Sequence, residues 1–362
     1  MSLLIFTFYY FILSFSVIGY GYIASKALKI KLDKNQMPLM GIIGLIFLTF
    51  ISYVTNIFTP HNFIHNLFFL FIGLSLFLRL VFKDSQNKFP TLFFLFISLI
   101  FFFSLMAKTH DDFGWYHLPY TLNLSQSKFQ FGLGHFNHGF KTASSIFYLN
   151  SMFYLPFVKH FTFNFAQIYC FSFALYFFLQ NAILKKNNSV LSIYSILSFI
   201  FISVVFYRLS EHGTDRSGQI LIFLILYFLI DFLLKKKLEF FNLAIISILL
   251  IYIFTIKNYF IIYFLLLIPL LKPLFENFDF LKKFIKSNLF IFIFIFLIFH
   301  FNIQIANSGC LLYPMEITCI DSLKWSFSAD HLSYMSQHYE LWAKAGANPN
   351  FRVENPSEYI SS

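Results

Sequence analysis

KTHDDFGWYHLPYTLNLSQSKFQFGLGHFNHGFKTASS, residues 108–145, separates two blocks of long apolar runs and is itself too polar to cross a bilayer. It gathers His110, Asp111, Asp112, His117, His135 and His138 with glycines and aromatics in one stretch. Reading it as a loop outside the membrane, held over membrane helices, decides how the rest folds. Ten apolar runs flank it: 3–24, 37–58, 66–82 and 90–107 before, and 160–184, 190–207, 217–234, 240–256, 258–271 and 288–305 after. A helix needs about 20 apolar residues to cross the roughly 30 Å of bilayer hydrocarbon. A β-barrel would need short segments alternating with period two, and these runs are continuous. The expected fold is therefore all-α: a multi-pass integral membrane helical bundle of about ten spans. It carries an extracytoplasmic loop with short interfacial helices and an extracytoplasmic C-terminal tail.

Composition agrees. Of 362 residues, 58% are hydrophobic and 12% charged, with a mean hydropathy of +0.71; soluble domains carry about a quarter charged residues. The 58 phenylalanines are spread through the runs and define no stacking site. A net charge of +10 is no nucleic-acid signal here, because no nucleic-acid motif accompanies it. Sixteen of the 26 Lys and Arg fall on one set of short connections, which by the positive-inside rule is cytoplasmic. The N-terminus, the 108–145 loop, the polar turn 208–217, Lys257 and the tail then share the outer face. The first run lacks a basic start and is too long for a signal peptide, so it reads as a retained span. Four segments result: 1–107 with four spans, the loop 108–159, 160–305 with six spans, and the tail 306–362. The apolar piece 145–158 is too short to span and reads as an interfacial or re-entrant helix. The basic, amphipathic piece 276–287 reads as a helix on the cytoplasmic surface.

Within the loop, Asp112 is the candidate general base, since a carboxylate at a membrane boundary can have its pKa tuned by burial and neighbours. The competing reading is a helix cap. Pro119 suits a first helical turn, so a helix should start near Tyr116 or His117, with Asp112 at its N-terminal edge. Trp115, Leu118 and Leu122, with Tyr116, Tyr120 and Leu124, would form its apolar face. Gly114 permits a tight turn. Gly132-Leu133-Gly134-His135 with His138 and Lys141 is either an anion-binding turn for phosphate or sugar, or a flexible turn. A divalent cation on the loop acids and histidines is chemically reasonable, although no pair has diagnostic helical spacing. Lys257, between two spans, is a phosphate partner or a snorkelling lysine. Asp215 is a second acid or a helix start. Arg208 and Arg216 are head-group contacts or span flanks. Cys170 is a core residue; Cys310 and Cys319 are a disulfide or two free thiols, which spacing cannot decide. In the tail, Leu332, Met335, His338, Tyr339 and Trp342 fall on one helical face and read as packing.

The pattern Asp112-x-Gly114-aromatic-Tyr116-His117, then Gly132-Leu133-Gly134, then Ser144-Ser145, resembles bacterial membrane proteins of the GT-C glycosyltransferase-like type. Ser308-Gly-Cys-Leu-Leu-Tyr313-Pro314 and Ile256-Lys257 resemble further elements of that group. The group's Gly-Asn-x-His-Gly-Arg is here Gly134-His135-Phe136-Asn137-His138-Gly139 without the Arg, a departure that puts the role of that Arg in doubt and leaves Lys141 as its candidate substitute. The resemblance implies an enzyme of the bacterial inner membrane that uses a lipid-linked sugar, usually a polyprenyl phosphate sugar, in cell-surface glycan assembly. Asp112, His117 and His110 would be catalytic, and Asp111, Tyr116, His135, His138, Lys141, Asp215 and Lys257 would bind substrate. The alternatives are a non-catalytic carrier, export or polymerase-type protein for lipid-linked glycans, or an inactive, shortened chain, since relatives of this kind continue with further spans.

Overall fold

The computed structural model describes residues 2–83, 91–105, 112–184, 189–207 and 214–344. Among these, fourteen α-helices account for the architecture, joined by short 3-10 and π turns. Every one of the ten apolar runs forms a helix: α1 (Leu3–Ala27), α2 (Met37–Asn56), α3 (Phe63–Lys83), α4 (Thr91–Ser104), α7 (Phe165–Leu184), α8 (Ser189–Val205), α9 (Asp215–Lys235), α10 (Phe240–Ile256), a 3-10 stretch Asn258–Leu267 running into α11 (Ile268–Glu276), and α13 (Asn288–Ser308). Seven are long and apolar enough to cross a membrane; α4, α8 and α10 are shorter apolar helices. Between them lie α5 (Leu118–Gln126), α6 (Ser145–Ser151) and α12 (Phe278–Ile285), and α14 (Ala329–Lys344) follows.

The chain divides into two compact units. One holds Met1–Phe129 and Ser144–His300; the other holds Gln130–Ala143 and Phe301–Ser362. The 108–159 segment is therefore shared between them. His110, Asp111 and Arg208 lie outside the described residues.

In the large unit, α1 packs against α2 and α3, α7 against α2 and α8, and α9 against α10 and α7. Small residues set the first contacts: a Cβ at Gly21 would strike the Met40 carbonyl and one at Gly19 the Gly73 carbonyl. Such close backbone approach is how helices associate where no water drives them together. Buried tyrosines fasten neighbours by donating to helix carbonyls, Tyr20 to Phe69 at 2.7 Å and Tyr169 to Tyr10 at 2.6 Å. Apolar stripes face outward, as on α4, where Leu92, Leu95, Leu99 and Phe102 are exposed while Phe93, Ile97 and Ile100 are buried. Such a stripe suits a lipid surround.

Connections touch one another in two sets, as alternating spans require. At one end Gln180 Nε2 donates to the Asn35 carbonyl (2.7 Å) and Asn288 Nδ2 to the Ala27 carbonyl (2.8 Å). At the other, His61 N–H donates to the Leu124 carbonyl (2.9 Å), His61 Nδ1 meets Ser151 Oγ (2.6 Å), and Phe129 N–H donates to the Asn56 carbonyl (2.8 Å). This second end carries α5 and α6. All seven residues of α6 are buried. Its polar residues Ser145, Asn150 and Ser151 are enclosed along with the apolar ones, so α6 is a packed element of the large unit and not one lying along a surface.

In the small unit, Cys310 and Cys319 form a disulfide. Tyr313, Phe327, Leu332 and Met335 pack on Cys310, with Tyr339 at the edge. The expected packing face of α14 is thus present at Leu332, Met335 and Tyr339.

Candidate functional site

Asp112 opens a π-helical turn, Phe113–His117, that leads directly into α5 with Pro119 in its first turn. The helix begins where Pro119 predicts, with Asp112 at the N-cap position of the turn that leads into it, but its side chain makes no capping hydrogen bond. Instead, Tyr116 Oη donates to Asp112 Oδ2 at 3.0 Å. The π turn explains this register, because π turns insert an extra residue and re-aim side chains, often at functional positions. Gly114 lies within the turn with open space where a Cβ would project, so the tight turn expected there is replaced by helical backbone beside unfilled volume. Trp115 is 74% exposed. His117 points the other way, 1% exposed, with ring contacts to Tyr116 at 4.4 Å and Phe147 at 5.2 Å.

Phe147 belongs to α6, which joins this turn to the ends of two long helices. Ser144 Oγ, at the α6 N-cap, donates to the Ile256 carbonyl at 2.7 Å. Lys257 follows Ile256 and ends α10. Its Nζ lies 2.7 Å from Asp215 Oδ1, both side chains roughly half exposed, and 5.8 Å from the Tyr259 ring centroid. Asp215 is also the first residue of α9, where a negative charge is favoured, as the helix-start reading expects. Lys257 is an ion-pair partner as well as a residue at the edge of an apolar helix.

His135, His138 and Lys141 belong to the small unit. Gly132 adopts φ +74° and donates its N–H to the Ala306 carbonyl at 2.7 Å. A Cβ at Gly134 would lie 2.6 Å from the Asn307 carbonyl oxygen. These two glycines thus admit the following chain segment closely. His135 Nε2 lies 2.8 Å from the Trp325 carbonyl, and its ring stacks on Phe327 at 4.3 Å. His138 Nε2 lies 2.9 Å from Tyr339 Oη.

Lys141 is only 8% exposed. Its ammonium donates to His331 Nε2 at 3.1 Å and sits 4.9 Å from the Phe327 ring centroid; Tyr313 Oη is 3.0 Å from the same His331 nitrogen. No carboxylate among the described residues pairs with it. Burial lowers the Lys141 pKa. His331 is lowered by burial first and then by Lys141, and His138 by burial, Lys141 and its neighbouring histidines. His331, Phe327 and Tyr339 carry no motif, and only tertiary contact links them to Lys141.

Among the described residues, no group of three or more His, Cys, Asp or Glu comes together as metal ligands. Of the loop residues considered for a divalent cation, Asp112 and His117 belong to the large unit and His135 and His138 to the small one, and His110 and Asp111 lie outside the described residues.

Fold and site together define a class: among the described residues, an all-helical protein with seven helices long and apolar enough to cross a membrane, and a set of polar residues, Asp112, Tyr116, Asp215 and Lys257, at one end of its large unit. The chain belongs to the family described as Domain of unknown function (DUF8201), whose model matches residues 1–358. No curated protein and no solved structure matches the chain.

Proposed function

We propose that the protein is a GT-C-like membrane glycosyltransferase that moves a sugar from a polyprenyl-phosphate donor to an acceptor hydroxyl during cell-surface glycan assembly. In this reading it lies in the bacterial inner membrane with ten spans. The N-terminus, the 112–159 region and the tail are on the extracytoplasmic side. The lysine-rich short connections support that orientation, and the Cys310–Cys319 disulfide suits an oxidising compartment.

The observation that carries the reading is α6. It contacts the Asp112–Tyr116–His117 turn through Phe147 and the Ile256–Lys257 corner through Ser144. A carboxylate and a cation on separate helices are thus held by one buried element. Asp112 takes the proton of the acceptor hydroxyl. The hydroxyl oxygen attacks the anomeric carbon, and the bond from that carbon to the lipid phosphate breaks with its electrons on the phosphate. Lys257 meets the charge that develops there, the kind of preplaced positive group that such a departure requires. Tyr116 orients the Asp112 carboxylate, and buried His117 supports Tyr116 from behind. A lipid-borne donor reaches this end from the bilayer, past exposed Trp115.

The test is release of polyprenyl phosphate from radiolabelled polyprenyl-phosphate hexoses by protein in proteoliposomes. Asp112→Asn is expected to lower release by about 10²–10⁴-fold, the usual contribution of a general base, while donor binding persists. Binding without release by the wild-type protein would move the assignment to a carrier. Full release by the Asn variant would remove Asp112 as the base.

A further inference from the structure

A cavity of about 290 Å³ lies in the large unit, at the lysine-rich ends of its helices, and shares no lining residue with the Asp112 turn or the Lys257 corner. Its lining includes Asp231, on α9, only 4% exposed. An ionisable side chain buried in so apolar a helix is a functional candidate by default. Asp231 Oδ2 accepts from Lys235 Nζ at 2.7 Å and from Asn242 Nδ2 at 2.8 Å. Lys235 Nζ also reaches Glu239 Oε2 at 3.4 Å. Both acids therefore bind through one oxygen, while Asp231 Oδ1 and Glu239 Oε1 take no hydrogen bond from any described residue. Asp33 adds a third carboxylate to the lining, against the single cation Lys235. Tyr227, Phe228 and Phe241 give the cavity aromatic walls.

Lys235 shows what this arrangement accepts: an ammonium bridging two carboxylates. That ammonium is tethered, and its side chain is 45% exposed, so it can swing out to water as long amphipathic side chains do. The lining left behind is acidic, partly desolvated and aromatic, the chemistry that holds organic ammonium groups. We propose that this cavity binds a protonated primary amine, whose ammonium takes the place of Lys235 Nζ between Asp231 and Glu239. The amine can come from a free small molecule or from an aminophospholipid headgroup, and both present the same –NH₃⁺.

The experiment uses the full chain in nanodiscs of phosphatidylglycerol and reads the thermal unfolding midpoint. One arm titrates ethanolamine against ethylene glycol, its neutral counterpart. The other replaces part of the lipid with phosphatidylethanolamine. A saturable rise with ethanolamine and none with ethylene glycol is expected; a rise only in the second arm assigns the amine to the lipid. Lys235→Met removes the competing ammonium and should tighten amine binding about fivefold, the upper range of a half-exposed ion pair. Asp231→Asn should weaken it by about thirtyfold or more. The proposal fails if neither arm gives a saturable rise with either the wild-type chain or the Lys235→Met variant, or if ethylene glycol stabilises as well as ethanolamine.

Discussion

Lys257 Nζ and Asp215 Oδ1 lie 2.7 Å apart, joining the residue that ends α10 to the one that begins α9 across 42 positions of sequence. Both side chains are roughly half exposed, and exposed pairs contribute only about 0.2–1 kcal/mol. Their proximity is thus weakly accounted for by stability. Lys257→Met should leave the unfolding midpoint nearly unchanged while lowering polyprenyl-phosphate release by about 10²-fold, the effect of losing one preplaced charge-stabilising group. Asp215→Asn should leave release intact or improve donor affinity, because it frees Lys257. Equal losses in both variants would show that the pair acts as a structural clamp.

Tyr116 donates to Asp112 Oδ2 at 3.0 Å. Tyr116→Phe deletes this bond and keeps the ring against Phe147. A hydrogen bond to a charged group contributes about 1.5–3 kcal/mol, so release should fall by roughly ten- to a hundredfold. Donor binding should persist, because Tyr116 acts on the base and not on the lipid phosphate. Unchanged release by the Phe variant would exclude Tyr116 from positioning the base.

Acid should loosen the small unit. His138 and His331 are held below the ordinary histidine pKa, chiefly by burial and then by Lys141. The unfolded chain binds more protons than the folded one between their folded values and 6.5. Stability is therefore full above the ordinary histidine value and declines as pH falls through that window. Lys141 is depressed as well, so its contribution grows as pH rises toward the ordinary lysine value. Hydrogen exchange of residues 130–143 and 301–344 is expected to quicken as pH is lowered from about 7.5 to about 5, once the intrinsic pH dependence is corrected for. His331→Gln should flatten the dependence. Corrected exchange independent of pH in the wild-type protein would contradict the burial argument.

Gly132 occupies a left-handed conformation with its N–H bonded to Ala306. Gly132→Ala should cost about 1–2 kcal/mol, the penalty of a Cβ in that region, expressed as faster exchange in the small unit. Gly114→Ala meets open space and should leave folding intact. If Gly114→Ala also blocks polyprenyl-phosphate release, the space beside it is occupied by substrate.

Orientation is open to a direct check. Ile317 is 91% exposed, and Lys237 is exposed in one of the lysine-rich connections. In the proposed topology, a cysteine at 317 reacts with a membrane-impermeant maleimide in intact cells, and one at 237 reacts only after permeabilisation. The reverse pattern would invert the protein in the membrane and place Asp112 on the cytoplasmic side.

Most of the helical framework was legible in the residues themselves. Runs such as 37–58 and 240–256 are apolar on all sides, and such runs satisfy backbone polar groups only as helices, so each became one. Pro119 marked the start of α5, since its ring is tolerated only in a first turn. The pairing of Lys257 with Asp215 had a partial signal, because charge counting put both on one side. The orientation of Asp112 had none: whether its side chain caps the helix or meets Tyr116 depends on the π turn. The division of the 108–159 segment between two units was also hidden, because Gly132 and Gly134 look alike whether they cradle a phosphate or admit a neighbouring chain.

Hydrophobicity and charge are sums over local residues, so the sequence alone determined the all-helical class, the helix positions and the clustering of polar residues at connections. Contacts depend on which helices become neighbours, and that rests on packing among residues far apart in the chain. Only the tertiary structure decided that α6 is buried, that Lys141 rests on His331 and Phe327, that Cys310 pairs with Cys319, and that Asp231 lines a cavity.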